Sequence, residues 1–259
     1  MSVWFVTPAY RRYALSAVCF EQRRRVIDEL SSRGIEAKCV VIADDDNVEL
    51  AQKQGFDVVR RDNRWLGRRF NDGIEHALTR GAGWIVPIGS DDWIDPDYFF
   101  PLPEDAARTS HFYAPVEADR LLQVTTQAVE GIGPRMFPRS AFTSARPCEE
   151  KIRRGVDRSL LRAIGDISWE YRDIHPLQYV GFRGDRHITL YAKIRAAQGG
   201  EESMQPWTLL ATHFPADLVE QARLAMTDVG RPRSVGRIDA WGVRDRLFHW
   251  WGRIWPGSD

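Results

Sequence analysis

Trp84-Ile85-Val86-Pro87-Ile88-Gly89-Ser90-Asp91-Asp92-Trp93-Ile94-Asp95-Pro96-Asp97-Tyr98 is the stretch that decides the fold. Trp84 to Ile88 is an apolar run of buried-strand length, closed by Gly-Ser and two adjacent carboxylates. Carboxylates at the C-terminal end of a strand face the crevice where open α/β sheets bind ligands. Hard oxygen donors placed there suit Mg²⁺ or Mn²⁺, ions that clamp ligand phosphates. A bare Asp-Asp pair is more often a solvated loop or a helix cap. The order of elements around this one favours a site.

Working outward, Ser2 to Thr7 reads as a buried first strand closed by Pro8. Tyr13 to Leu30 has helical spacing and stops at Ser31-Ser32-Arg33-Gly34. Ala37 to Ala43 is a second strand ending in Asp44-Asp45-Asp46, Val48 to Gln54 a short helix, and Asp57 to Arg60 a third strand. Leu66 to Arg80 is helical and leads into Trp84 to Ile88. Such alternation predicts an α/β fold with a mainly parallel sheet and helices on both faces. Beyond Pro101 the pattern loosens. Ser110 to Val116 and Leu121 to Val129 read as an antiparallel pair, and Arg139 to Ser144 as a short helix or turn. Glu149 to Ile164 reads as a helix interrupted by Gly155, Leu177 to Val180 and His187 to Tyr191 as strands, and Gln198 to Glu202 as an exposed loop. The expected division is a body over residues 1–215, with halves 1–100 and 101–215, and an appendage over 216–259. That appendage opens with a helix from Ala216 to Met226.

The chain has 259 residues, 43% of them hydrophobic, enough for one large domain. Basic and acidic residues balance at 36 each, which gives no global electrostatic attraction for nucleic acid. Arg23-Arg24-Arg25 is expected on a solvated helix face. Cys19, Cys39 and Cys148 are widely spaced and form no zinc or disulfide pattern, so a reducing, cytoplasmic setting is expected. Neither a signal peptide nor an apolar run of membrane-spanning length is read. Ile238 to Trp255 interleaves Trp241, Trp250, Trp251 and Trp255 with arginines. That pattern suits either docking at a membrane surface or packing on the body or a second copy of the chain.

A parallel α/β half, an acidic strand end and a less regular second half together resemble the GT-A glycosyltransferases of the family-2-like group. The likeness covers roughly residues 1–215. Ile88 to Tyr98 resembles the group's Asp-x-Asp-Asp segment, with Gly89 where the family has its first acid. Val3 to Tyr10 resembles its first strand, and Leu66-Gly67-Arg68-Arg69-Phe70-Asn71-Asp72-Gly73-Ile74 its Gly-x-x-x-Asn-x-Gly helix, with Phe70 where many relatives have Arg. The resemblance implies a mixed, mainly parallel sheet flanked by helices and a UDP- or GDP-sugar donor. Thr7, Pro8 and Tyr10 would hold the nucleoside, and Asp44, Asp45 or Asp46 the base. Arg68 or Arg69 would face the nucleotide near Asn71. Ser90 and Asp91 would reach the donor, and Asp91 and Asp92 would hold Mn²⁺ or Mg²⁺, with His187 as a further ligand and His213 its competitor. The alternatives are plain ones: a strand terminator at Thr7-Pro8, an acidic turn, a surface Arg pair, a structural His.

An inverting transfer needs a base for the acceptor hydroxyl. The family places it in an acidic pair at a helix start, which points to Asp157 in Gly155-Val156-Asp157, with Glu149-Glu150 as the second choice and helix capping as the bland reading. Acceptor and stereochemistry are not legible, and self-association is left open. A nucleotidyltransferase would want a glycine-rich loop after the first strand, where Tyr10-Arg11-Arg12-Tyr13 stands. A non-catalytic protein that binds sugar nucleotides is the third reading, and Gly89 keeps it in play.

Overall fold

The computed structural model describes residues 2–117, 120–125, 134–153, 155–182 and 201–229. At its centre runs β1 (Ser2–Pro8), buried along its whole length because helices cover both faces of the sheet. β2 (Glu36–Ala43) and β4 (Trp84–Pro87) flank it in parallel, and β3 (Asp57–Arg60) continues the parallel set beyond β2. α1 (Tyr13–Ser32), α2 (Asn47–Lys53) and α3 (Leu66–Thr79) are the connections. Alternation along β1 divides the core. Val3 and Phe5 pack with Phe20 and Ile27 of α1, and Trp4 and Val6 pack with Ile74 and Ala77 of α3.

Beyond β4 the sheet turns mixed. β6 (Ala107–Thr109), β9 (Arg135–Pro138) and β10 (Trp169–Tyr171) complete a seven-stranded order β10-β6-β9-β4-β1-β2-β3. β9 is antiparallel to both β4 and β6, so its first residue, Arg135, lies at the sheet edge where β4 ends. A second, five-stranded sheet contains β5 (Asp92–Ile94), β7 (Phe112–Glu117), β8 (Arg120–Thr125), β11 (Tyr179–Phe182) and β12 (Glu201–Ser203). The expected antiparallel pair is β7 and β8.

The chain passes from the first sheet to the second between β4 and β5. The segment Ile88 to Asp91 therefore forms the corner where the two sheets meet.

Three expectations change. The helix expected from Glu149 begins only at Val156 (α4, Val156–Ile164), because Gly155 takes the left-handed conformation at φ +69° and starts it. Glu201 and Glu202, read as loop, pair with β8. The helix expected to open an appendage packs on α1. Leu218, Val219, Ala222 and Met226 of α6 (Ala216–Val229) are buried with Leu15 and Val18 of α1, and Asp217 pairs with Arg25 at 2.6 Å. α5 (Pro206–Leu210) precedes it. The strand expected at 187–191, the residue His187 and the tryptophan-rich segment 238–255 lie outside the described residues. No helix among the described residues is long and apolar enough to cross a membrane.

Candidate functional site

The acidic corner folds back on itself. A Cβ on Gly89 would lie 2.5 Å from Asp92 Oδ2 and 2.7 Å from Asp91 Oδ1, so any side chain there would force the carboxylates to shift. Both acids are buried, Asp91 at 7% and Asp92 at 6% exposure, and they hold different partners. Asp92 Oδ2 accepts hydrogen bonds from Gly89 N–H at 3.1 Å and from the Tyr179 hydroxyl at 2.9 Å. It ties β5 and β11 to the turn. Asp91 accepts from Arg12 Nη1 at 3.0 Å. Behind both lies Arg23, fully buried on α1, donating to Thr7 Oγ1 at 2.7 Å, the Asp92 carbonyl at 3.0 Å and the Gly89 carbonyl at 3.4 Å. The expectation of a solvated Arg23 is thus corrected; of the triplet only Arg24 is well exposed. β1 alternation turns the Thr7 side chain toward α1, where it meets Arg23. Pro8 and Ser90 are buried too.

The β1–α1 turn is backbone-strained. Arg11 and Arg12 have φ of 54° and 55°, a left-handed conformation that costs side-chain-bearing residues about 1–3 kcal/mol each. Asp45 helps hold it there: Oδ2 accepts from Arg11 N–H at 2.8 Å, and Oδ1 accepts from the Asn47 side chain at 2.8 Å. Asn47 Nδ2 in turn donates to the Arg11 carbonyl at 3.3 Å. Asp45, expected on the base, is therefore committed to the turn, while Asp44 and Asp46 are exposed at the end of β2. Tyr10 is half-buried, with the Arg11 guanidinium 4.9 Å from its ring centre.

The helix motif in α3 is a packing device. A Cβ on Gly67 would sit 2.0 Å from the Glu149 carbonyl oxygen, and one on Gly73 2.5 Å from Val6 and 2.6 Å from Ile42. Asn71 is fully buried and its amide closes a two-point clamp on Cys148, donating to the carbonyl at 2.8 Å and accepting from the N–H at 2.7 Å. The Asn71 side chain is thus engaged in packing α3 against the Cys148 segment. Arg69 is buried as well. It donates to the carbonyls of Ala9 and Ile42 and, at 2.6 Å, to Asn63 Oδ1, bracing the ends of β1 and β2. Burial pushes its guanidinium down to about 10, which still leaves it cationic at neutral pH. Arg68 is half-buried.

On the acceptor side, Asp157 opens α4, 53% exposed, with Oδ1 3.4 Å from the buried Arg135. That ion pair places it at the sheet edge where β4 ends, the edge that also carries the acidic corner. Glu150 is tied to Arg146 at 2.7 Å, which also holds Asp72 and Glu75. His213 stacks on His175 with ring centres 4.0 Å apart, and His175 contacts Asp95 at 3.0 Å. Burial and the neighbouring His175 hold His213 below its ordinary value. Sequence reading missed one arrangement. At the end of β6, His111 Nδ1 lies 2.7 Å from Asp173, which also accepts from Ser110 at 2.8 Å, and His111 stacks on Tyr171 at 4.1 Å. Its parts are more than 60 residues apart, so no local motif announces it.

Residues 5–131 match the family model for glycosyl transferase family 2. The chain carries a glycosyl transferase family 2 domain. A crystal structure of S. aureus TarS in complex with UDP is similar in fold, at 10% identity and TM-score 0.52, covering 96% of this chain and 78% of that one. An S. aureus TarS structure without UDP in its description gives TM-score 0.48 at 10% identity, covering 88% of this chain and 71% of that one. The inositol-1-phosphate CTP transferase from T. maritima gives 0.38 at 11% identity, covering 91% and 97%. At those last two scores the likeness carries no argument. No curated protein matches the chain in sequence.

The family-2 domain has the GT-A fold, in which divalent metals are common. Among the described residues no group of three or more His, Cys, Asp or Glu is placed to hold a metal. Mg²⁺ and Mn²⁺ do not need such a cage: one or two carboxylates suffice when substrate phosphates supply further oxygens. Asp91, a corner carboxylate paired with Arg12, fits that requirement. Asp92 has its Oδ2 engaged by the turn and by β11.

Proposed function

We propose that the chain transfers a sugar from a nucleotide-diphosphate donor to an acceptor hydroxyl, with Mn²⁺ or Mg²⁺ bound at Asp91. The observation that carries this is the acidic corner itself: a carboxylate at the meeting point of two sheets, beside the ends of β1 and β2, in a family-2 domain. A bound metal would neutralise charge building on the departing diphosphate. The chain's own residues do the rest. Asp44 accepts the base N–H, since an ionised carboxylate only accepts. Arg68 offers fixed donors to nucleotide oxygens. Arg23 and Arg69 hold the corner and the strand ends rigid. Asp157, steadied by Arg135, takes the acceptor proton if the reaction inverts. The UDP in the TarS complex makes UDP-sugars the first donors to test.

A panel of UDP- and GDP-sugars, with release of the nucleoside diphosphate followed with and without Mn²⁺, tests the proposal. Release from at least one UDP-sugar, lost in Asp91→Asn, is expected. No turnover and no binding of any nucleotide sugar would overturn it.

A further inference from the structure

We propose that His111 and Tyr171 form an acceptor subsite for a sugar ring, in which the aromatic pair supplies a stacking surface and His111 Nε2 meets a sugar hydroxyl. This deepens the functional reading above and rests on it. Asp173 organises the site. Its Oδ1 accepts from the Ser110 hydroxyl at 2.8 Å and from His111 N–H at 2.9 Å, and its Oδ2 lies 2.7 Å from His111 Nδ1. Ser110 Oγ also accepts from Phe112 N–H at 2.8 Å, which fixes the chain on both sides of the histidine. An ionised carboxylate only accepts, so Nδ1 is a protonated nitrogen. Nε2 has no partner among the described residues. It offers a lone pair in the neutral ring and a proton in the charged one, and a hydroxyl can answer either.

The imidazole is fixed in plane as well as in tautomer. It stacks on Tyr171 with ring centres 4.1 Å apart and 6° between the planes. The pair is nonetheless open. His111 keeps 34% of its side chain exposed, and Tyr171 is 43% exposed although His111 covers one of its faces. An open aromatic surface beside a fixed polar atom matches a sugar, whose ring has an apolar C–H face and a rim of hydroxyls. Sheet order assigns the side. β6 and β10 lie beyond β9, on the opposite side of β4 from β1 and β2, whose ends border the proposed nucleotide site. Thr109, at the end of β6, pairs with Tyr171 and with Arg135, whose guanidinium lies 3.4 Å from Asp157. The subsite therefore shares an edge with Asp157. β6 stands two strands from β4, about 10 Å at the usual strand spacing. That separation assigns the pair to the acceptor and not to the diphosphate.

Methyl glycosides of glucose, galactose, mannose and N-acetylglucosamine are titrated into the wild-type protein by saturation-transfer NMR, with UDP and Mn²⁺ present and again without them. At least one glycoside should bind. Tyr171→Ala and His111→Ala should each weaken it about tenfold, as the loss of one stacking face or one hydrogen bond implies. Tyr171→Phe keeps the ring and should stay close to the wild type. UDP affinity, followed by calorimetry on the folded variants, should be unchanged in all three. Binding of no glycoside, or wild-type affinity in both alanine variants, overturns the proposal. A loss of UDP affinity in a folded His111→Ala protein would assign the pair to the donor and overturn it too. If the wild-type protein binds a glycoside but no UDP, the functional reading fails and the sugar site stands.

Discussion

At the scale of single residues, adjacent acids are separated by what their oxygens touch. Gly89 stands where the resembled family has an acid, and here a Cβ would collide with both neighbouring carboxylates. Gly89→Ala should lower unfolding stability by about 1–3 kcal/mol, the usual cost of overpacking, and weaken Mn²⁺–UDP binding as the carboxylates shift. Urea unfolding and calorimetry on the variant check both; wild-type values would show that the corner is not cramped. Asp157→Asn should leave UDP affinity intact and cut turnover about 10²-fold or more. Normal turnover in that variant, with loss in Glu149 or Glu150 variants, would move the base to those residues. The Asp91-Asp92 pair stands out in the sequence because an apolar strand precedes it. The split between its members does not, because the Tyr179 hydroxyl that claims Asp92 comes from 87 residues away. Arg23 was more legible than its reading allowed. It lies three residues after Phe20 and four before Ile27, on the buried stripe of α1. A charge triplet drew attention to composition where spacing held the answer.

At the scale of elements, the strands and helices of the first hundred residues follow from apolar runs and their stops, because local sequence suffices for buried parallel strands. The second half was harder. β6, β9 and β10 are three or four residues long and take their place from partners distant in sequence. The α3 motif has a packing task that the sequence did not announce. Its glycines let the helix approach Val6, Ile42 and Glu149, and its asparagine clamps Cys148. Asn71→Ala should strand a buried N–H and carbonyl, at about 1–3 kcal/mol for each unsatisfied group, with UDP affinity unchanged in the protein that remains folded. Thermal unfolding together with UDP titration separates this from a ligand role, in which affinity falls and stability does not.

At the scale of the whole molecule, the fold contains ion pairs that acid should loosen. At Asp95, burial pushes the carboxyl upward, but hydrogen bonds from His175 and the Asp97 N–H outweigh it and leave the group below its ordinary 3.8. Asp173 is likewise held low, with burial outweighed by His111 and Ser110. Groups depressed in this way stabilise the fold above their unfolded value, and the contribution disappears as pH falls through the folded one. The melting temperature should therefore hold near neutrality and fall below about pH 4. The drop should be smaller in Asp95→Asn and Asp173→Asn; an equal drop in both variants would remove these carboxylates from the account.

The central claim is that Asp91 serves the metal and donor while Asp92 serves the fold. Calorimetric titration of UDP with and without Mn²⁺, alongside the melting temperature, tests it on Asp91→Asn and Asp92→Ala. The account predicts that Asp91→Asn keeps its melting temperature and loses the Mn²⁺ enhancement of UDP binding, whereas Asp92→Ala loses several degrees of melting temperature first. Wild-type Mn²⁺ dependence in a stable Asp91→Asn protein would contradict it.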